Sequence, residues 1–295
     1  MKNSVIYGGI VVLLGVSLIG CTQAPMVSNN PPTATTLSDR KPSAKRIVAL
    51  LPLGADLVHR LNASKLVGVP SGSYIDKDAR FKDIPRVGER SAMNLEKIIA
   101  LKPDLVIGSD VIQGQLLDKL KQTGIDVLPL RTSSWQDLEI ATKSIADLMG
   151  ADPMPILQKY QSYITNPPQN GQSVLVIAGI QPTSSPNKQS WAGDLLSKFG
   201  YRNIVADFPA NGRFQGYLTL SQEKILEMNP DKIFLIEGGG VRQRPEEITT
   251  LPFWKDLKAA KNNQVYIFHH DGLISPTSVD TVEAVTAQLR QAAKP

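Results

Sequence analysis

Cysteine is almost missing from this chain: Cys21 is the single one in 295 residues. That excludes an internal disulfide and any multi-cysteine metal cluster. Histidine is nearly as scarce, with three, which makes a bare transition-metal site unattractive because such metals are held mainly by Cys and His. A metallic ligand would arrive already chelated. Charge runs are lacking too, since the net charge of +5 is spread along the sequence. There is no electrostatic footprint for nucleic acid. Enzymatic signatures are absent as well: no Gly-x-Ser-x-Gly, no His-Glu-x-x-His, and Glu237-Gly-Gly-Gly240 lacks the Lys and Ser/Thr of a phosphate loop. No catalytic residue, resident metal or cofactor is expected.

What is present begins with enough apolar material, 42% of residues, for one large or two medium domains. After Met1-Lys2-Asn3 an apolar run extends from Val5 to Ile19 and ends Leu18-Ile19-Gly20-Cys21. It is short of the roughly 20 apolar residues of a comfortable membrane span and has the layout of an export signal. Its end resembles a bacterial lipobox, with Ile19 departing from the usual small residue. The resemblance implies a signal peptide over 1–20, diacylglycerol on Cys21, cleavage before it and acylation of the new terminus; an uncleaved helical anchor is the alternative. Either way the remainder sits on the outer side of the membrane, and two or more acyl chains anchor it stably. Residues 21–43, rich in Pro, Thr, Ser and Asn, read as a flexible tether.

From Ala44 strands and helices alternate. Arg46–Leu51, Leu66–Val69, Leu105–Ile107 and Asp126–Leu130 read as strands. Helices carry Leu57, Val58 and Leu61, run from an Asn94 cap to Leu101, and span Gln113–Gln122; Tyr74 and Arg80 fall in a polar loop. Between Ser134 and Ile164 the apolar residues keep helical spacing without a strand, which predicts a long helix interrupted near Gly150 to Pro155. A second alternation follows: strands Ser173–Ile177, Lys232–Ile236 and Gln264–Phe268, helices Asp194–Phe199, Gln222–Met228 and Ser278–Ala292. The expected fold is α/β: two lobes with mostly parallel central sheets, over 44–131 and 166–295, joined by a backbone helix over 132–165. His59 reads as a structural helix residue. His269-His270 closes a strand, and the glycine run closes another; each is open between a site and an ordinary loop.

An echo links the lobes. Leu95-Glu96-Lys97-Ile98 with Pro103-Asp104 before a strand matches Gln222-Glu223-Lys224-Ile225 with Pro230-Asp231, at a constant offset of 127 residues. Arg46-Ile-Val-Ala-Leu-Leu-Pro-Leu-Gly-Ala-Asp56, Leu66-Val-Gly-Val69, Val87-Gly88 and Asn94-Leu-Glu-Lys-Ile-Ile-Ala-Leu-Lys-Pro-Asp-Leu-Val-Ile107 resemble the N-terminal lobe of the helical-backbone periplasmic binding proteins that serve ferric-siderophore, heme and cobalamin importers. The likeness continues through Trp191-Ala-Gly193, Ser221-Gln-Glu-Lys-Ile225 and Asn229-Pro-Asp-Lys-Ile-Phe-Leu-Ile236, covering residues 44–295.

The resemblance implies two Rossmann-like lobes with the ligand in the cleft between them, at the carboxyl ends of strands. It implies that Arg90 faces the ligand, as an arginine does in hydroxamate-siderophore binders; a planar guanidinium suits a chelate with anionic oxygens. Tyr74, Trp191, Arg213, Tyr217 and Arg242 are further candidates. Gln215, where those binders carry an aromatic, and Ile112, where they carry a tyrosine, depart from a hydroxamate pocket and leave carboxylate or mixed chelates open. Glu96 and Glu223 correspond to glutamates that pair with arginines of the two permease subunits. The implied protein is a monomeric lipoprotein that captures a metal chelate, foremost a ferric siderophore, for an ABC permease dimer and its ATPase. Heme or cobalamin, an extracytoplasmic enzyme, and a sensor on the same scaffold are the rivals.

Overall fold

The computed structural model describes residues 44–90, 92–169, 171–212, 214–238 and 245–294, with the side chain of residue 246 excepted. The first strands are β1 (Ile47–Ala49), β2 (Leu66–Ser71), β3 (Arg86–Glu89), β4 (Ala92–Met93), β5 (Leu105–Gly108) and β6 (Asp126–Pro129). They form one sheet in the order β4-β3-β2-β1-β5-β6, parallel except for the β3–β4 hairpin. Helices α1 (Pro52–Asn62), α2 (Ser73–Lys77), α3 (Leu95–Ala100) and α4 (Asp110–Gln122) connect them. β1 is buried on both faces, as a central parallel strand must be. The segment holding Tyr74 and Arg80, expected as a loop, is α2 followed by a 3-10 turn at Ala79–Phe81. Its polar surface hid the buried pair Ile75 and Phe81, which anchor it.

The linking region is two helices, α5 (Trp135–Met149) and α6 (Met154–Ile164), rather than one long one. The interruption falls inside the expected window: Gly150 caps α5 in the left-handed conformation, and α6 starts at Met154 with Pro155 in its first turn. In the second lobe, β7 (Ser173–Ile177), β8 (Gly179–Ile180), β9 (Thr183–Pro186), α7 (Trp191–Lys198), β10 (Arg202–Asn203), β11 (Tyr217–Thr219), α8 (Gln222–Met228) and β12 (Lys232–Glu237) come first. Then follow α9 (Pro245–Thr249), α10 (Lys258–Lys261), β13 (Val265–His269), α11 (His270–Leu273) and α12 (Val279–Ala292). The parallel sheet runs β10-β7-β12-β13, and a small antiparallel sheet β11-β9-β8, which the sequence reading did not foresee, stands apart from it.

The 127-residue echo is structural. Asn94 caps α3 by accepting the Lys97 N–H, and Ser221 caps α8 through the Lys224 N–H. Asp104 accepts the Arg46 N–H at 3.0 Å at the head of β1; Asp231 accepts the Ser173 N–H at 2.9 Å at the head of β7. Ile47 pairs with Leu105 and Val174 with Lys232, so the ladders share one register.

One apolar cluster runs through both sheets and the linking helices, from Ile47 and Leu57 through Trp135, Ile145 and Tyr160 to Phe234 and Leu289. A buried carboxylate adds to it. Asp56 on α1, with no exposed surface, accepts bonds from Arg60 Nε at 2.9 Å, Arg80 Nη1 at 2.8 Å and the Val279 N–H at 2.9 Å, tying the first lobe to the start of α12.

Candidate functional site

The strands of an open parallel sheet end on one edge, and the loops leaving that edge make the crevice. Here they do so from both sides. Leu50–Pro52 after β1, Pro70–Gly72 at the end of β2, Ser109 after β5 and Leu130–Ser133 after β6 line a cleft of about 790 Å³. Facing them from the second lobe are Gln189, Gln215, His270, Asp271 and Ser275–Thr277. That volume falls in the usual range for small-molecule sites.

Arg90 reaches the wall because β3 and β4 form a tight hairpin, with Gly88 opposite Met93 and Glu89 opposite Ala92. Gly88 has φ of +126°, and a Cβ there would lie 2.5 Å from the Ala92 carbonyl oxygen, so only glycine fits. Among the described residues the Arg90 guanidinium makes no ion pair or hydrogen bond. Desolvation in the cleft pulls its pKa down, opposed by the Asp271 carboxylate and the Tyr217 phenol. An arginine keeps its proton regardless, so a positive fork with free donors faces the cavity.

The opposite wall is the bend after β13. Gly272, at φ +123°, donates its N–H to the Ser275 carbonyl and turns His270 and Asp271 toward the cleft. The Asp271 N–H bonds His269 Nδ1, which fixes that ring with its proton on Nε2 when neutral. Tyr74 on α2 lines both the cleft and a side cavity of about 280 Å³ shared with Lys77, Asp78 and His269. Burial raises the Tyr74 pKa, partly offset by a hydrogen bond with Ser278, so the phenol stays neutral. Among the described residues no group of three or more His, Cys, Asp or Glu is arranged to hold a metal ion.

With this geometry, residues 47–153 and 156–271 match the family model described as periplasmic binding protein. The chain belongs to the periplasmic binding protein family. It is 29% identical over 222 residues to YhfQ of Bacillus subtilis, provisionally named an ABC transporter substrate-binding lipoprotein, covering 70% of this chain and 68% of that protein. It is 27% identical to the Fe(3+)-citrate-binding protein YfmC of Bacillus subtilis, covering 75% and 72%. The fold matches that of Staphylococcus aureus IsdE complexed with heme at a TM-score of 0.71, with 22% identity over 86% of this chain and 100% of that one.

The remaining candidates of this periplasmic binding protein divide sharply. Arg90 and Tyr74 stand on the wall, as do Ile112 and Gln215. Trp191 does not, and the expectation that it meets the ligand is corrected: it is 3% exposed, stacked on Trp135 at 5.9 Å, with Nε1 donating to the Gly272 carbonyl at 2.7 Å. It braces the Asp271 bend from behind. Tyr217 is half-buried beside the cleft rather than on its lining, its pKa pushed up to about 12 by burial and lowered in turn by the nearby Arg90 charge. Arg213, Arg242 and Cys21, with the signal and tether segments, lie outside the described residues. Glu96 and Glu223 are exposed at the second position of α3 and α8, and neither lines the cleft. Bonds to its own N–H and to Ser221 hold the Glu223 carboxyl below its ordinary pKa. His59 is structural, edge-on to Phe81 at 5.6 Å. His270, left open between a site and a loop residue in the sequence, lines the cleft, while Asp271, Ser109 and Gln189 carried no signal in the sequence.

Proposed function

We propose that this protein is the extracytoplasmic substrate-binding component of an ABC importer, that its ligand is an oxygen-rich ferric chelate of the siderophore or citrate type, and that it is held to the membrane by lipid on Cys21. The single observation that carries the ligand reading is the Arg90 guanidinium, unpaired among the described residues, on a small-molecule cleft between two lobes. Anionic chelate oxygens meet a guanidinium with charge-assisted, often bidentate hydrogen bonds. The hydroxyls of Ser71, Ser109 and Thr277 on the same lining offer further donors. YfmC, whose name records Fe(3+)-citrate binding, supports a carboxylate chelate over a hydroxamate one, in keeping with Ile112 and Gln215 on the wall. Glu96 and Glu223, in matching slots on the two lobes, suit docking on a permease dimer, where charges fix orientation and speed encounter more than they add affinity. The protein works as a monomer with no catalytic step.

The test is titration of the purified protein with ferric citrate, ferric hydroxamates, heme and cobalamin, following quenching of Trp135, Trp191 and Trp254. Saturable one-site quenching by a ferric chelate and none by the iron-free chelator is expected. Tighter binding of heme or cobalamin than of any ferric chelate would move the assignment to that ligand.

A further inference from the structure

The β3–β4 hairpin that presents Arg90 is short and solvent-facing, so something must hold it in place if the guanidinium is to be ready for a ligand. The structure shows what does. Gln113 on α4 is 5% exposed, and its side-chain amide is used at both ends: Oε1 accepts the Ser109 N–H at 2.8 Å, and Nε2 donates to the Arg90 carbonyl at 2.9 Å. The backbone gives way to allow it. Gln113 sits at φ −115° and ψ 17°, outside the helical range, between the first turn of α4 and the rest of that helix.

A buried amide is tolerated only when bonded, and here both bonds go to main-chain groups on the cleft wall. A leucine would fill the same space but leave the Ser109 N–H and the Arg90 carbonyl without these partners. The clasp joins segments 23 residues apart, and both carry cleft residues: Arg90 on one side, Ser109 and Ile112 on the other. We infer that Gln113 is a positioning residue for ligand capture, holding the Arg90 turn against the first turn of α4 so that less order must be imposed when a ligand binds. The binding arm of this inference rests on the reading that Arg90 takes the ligand; the clasp itself does not.

Two measurements test it separately. In the ligand-free protein, hydrogen exchange at residues 88–93 should rise at least about tenfold in Gln113→Leu, out of proportion to the other first-lobe strands, because the turn loses the side-chain tether from Gln113 Nε2. Unchanged exchange there would overturn the clasp. With ferric citrate as probe, Gln113→Leu should weaken binding by about tenfold, the value of one hydrogen bond, yet add nothing in an Arg90→Ala background. Equal weakening in both backgrounds would show a purely structural role. Gln113→Glu sharpens the point: its carboxylate keeps the acceptor for Ser109 but faces the Arg90 carbonyl with a second acceptor. Its affinity relative to wild type should recover as pH falls and the new carboxyl gains a proton; no recovery argues against the donor to Arg90. If wild type fails to bind ferric citrate, the chelate reading fails while the exchange result still decides the clasp.

Discussion

In the first lobe Leu105 pairs with Ile47; 127 residues later Lys232 pairs with Val174 in the same register, and Asp104 and Asp231 cap the equivalent strands. Leu105 is plain apolar core, whereas the equally buried Lys232 sends its ammonium to Gln264 Oε1 at 2.6 Å and to Tyr266. The cleft shows the same divergence. Four parallel strands of the first lobe end on it in sequence; among the described residues of the second lobe, the end of β13 and the turn after it reach the cleft, with Gln189 and Gln215 coming from loops beside the small antiparallel sheet. A repeated local plan thus sets the sheet and its caps, while the surface that meets a ligand is free to differ. The charged groups differ too: among the described residues the first lobe presents Glu89, Arg90 and Arg131, and the second presents Asp271 beside His270.

The largest expected effect comes from breaking the joint between the lobes. Asp56→Ala should cost about 3 to 5 kcal/mol in denaturant unfolding, because Arg60 and Arg80 lose a buried partner and the Val279 N–H is orphaned. Next is the cleft. Arg90→Ala should weaken chelate binding by about 1.5 to 3 kcal/mol, roughly ten- to a hundredfold, whereas Asp271→Asn, by removing the opposing charge, should tighten it; titration of both variants separates the two walls.

A smaller effect distinguishes the twin caps. Asp104→Ala and Asp231→Ala should each cost about 1 kcal/mol at neutral pH. Hydrogen bonds from Lys258 and Ser173 hold the Asp231 carboxyl well below the usual range. A depressed folded pKa means stability that is present above the unfolded value near 4 and lost as pH falls from there toward the folded one. The stability gap between Asp231→Ala and wild type should therefore begin to narrow below about pH 4 and go on narrowing as the pH falls further. Smallest in stability and largest in cells is the pair Glu96→Arg with Glu223→Arg: both sites are exposed, so melting and ligand affinity should stay at wild-type values while uptake is abolished. Normal uptake by the double variant would remove the docking role.

Much of the fold could be read because it is locally encoded. Asn94 and Ser221 cap helices through N–H groups three residues on, and Gly150 with Pro153 and Pro155 ends one helix and starts the next. The apolar pattern placed the start of α4 at Gln113, and the continuous part of the helix does follow that residue, but a first turn from Asp110 precedes the break in helical backbone at Gln113. Tyr217 and Trp191 were singled out by position in the chain, and the structure sets one beside the wall and the other behind it.

By itself the sequence determined the alternation of strands and helices, the linking helices and their interruption, and the twin caps at a fixed offset, since each depends on residues within a turn or on the period of burial. Only the tertiary structure decided which polar groups face the cleft. Trp191 is committed to Gly272, 81 residues away, Asp56 to Val279, 223 residues away, and Gln113 to Arg90, 23 residues back. Such pairings follow from how separate segments and the two lobes pack together, and no local period carries that information.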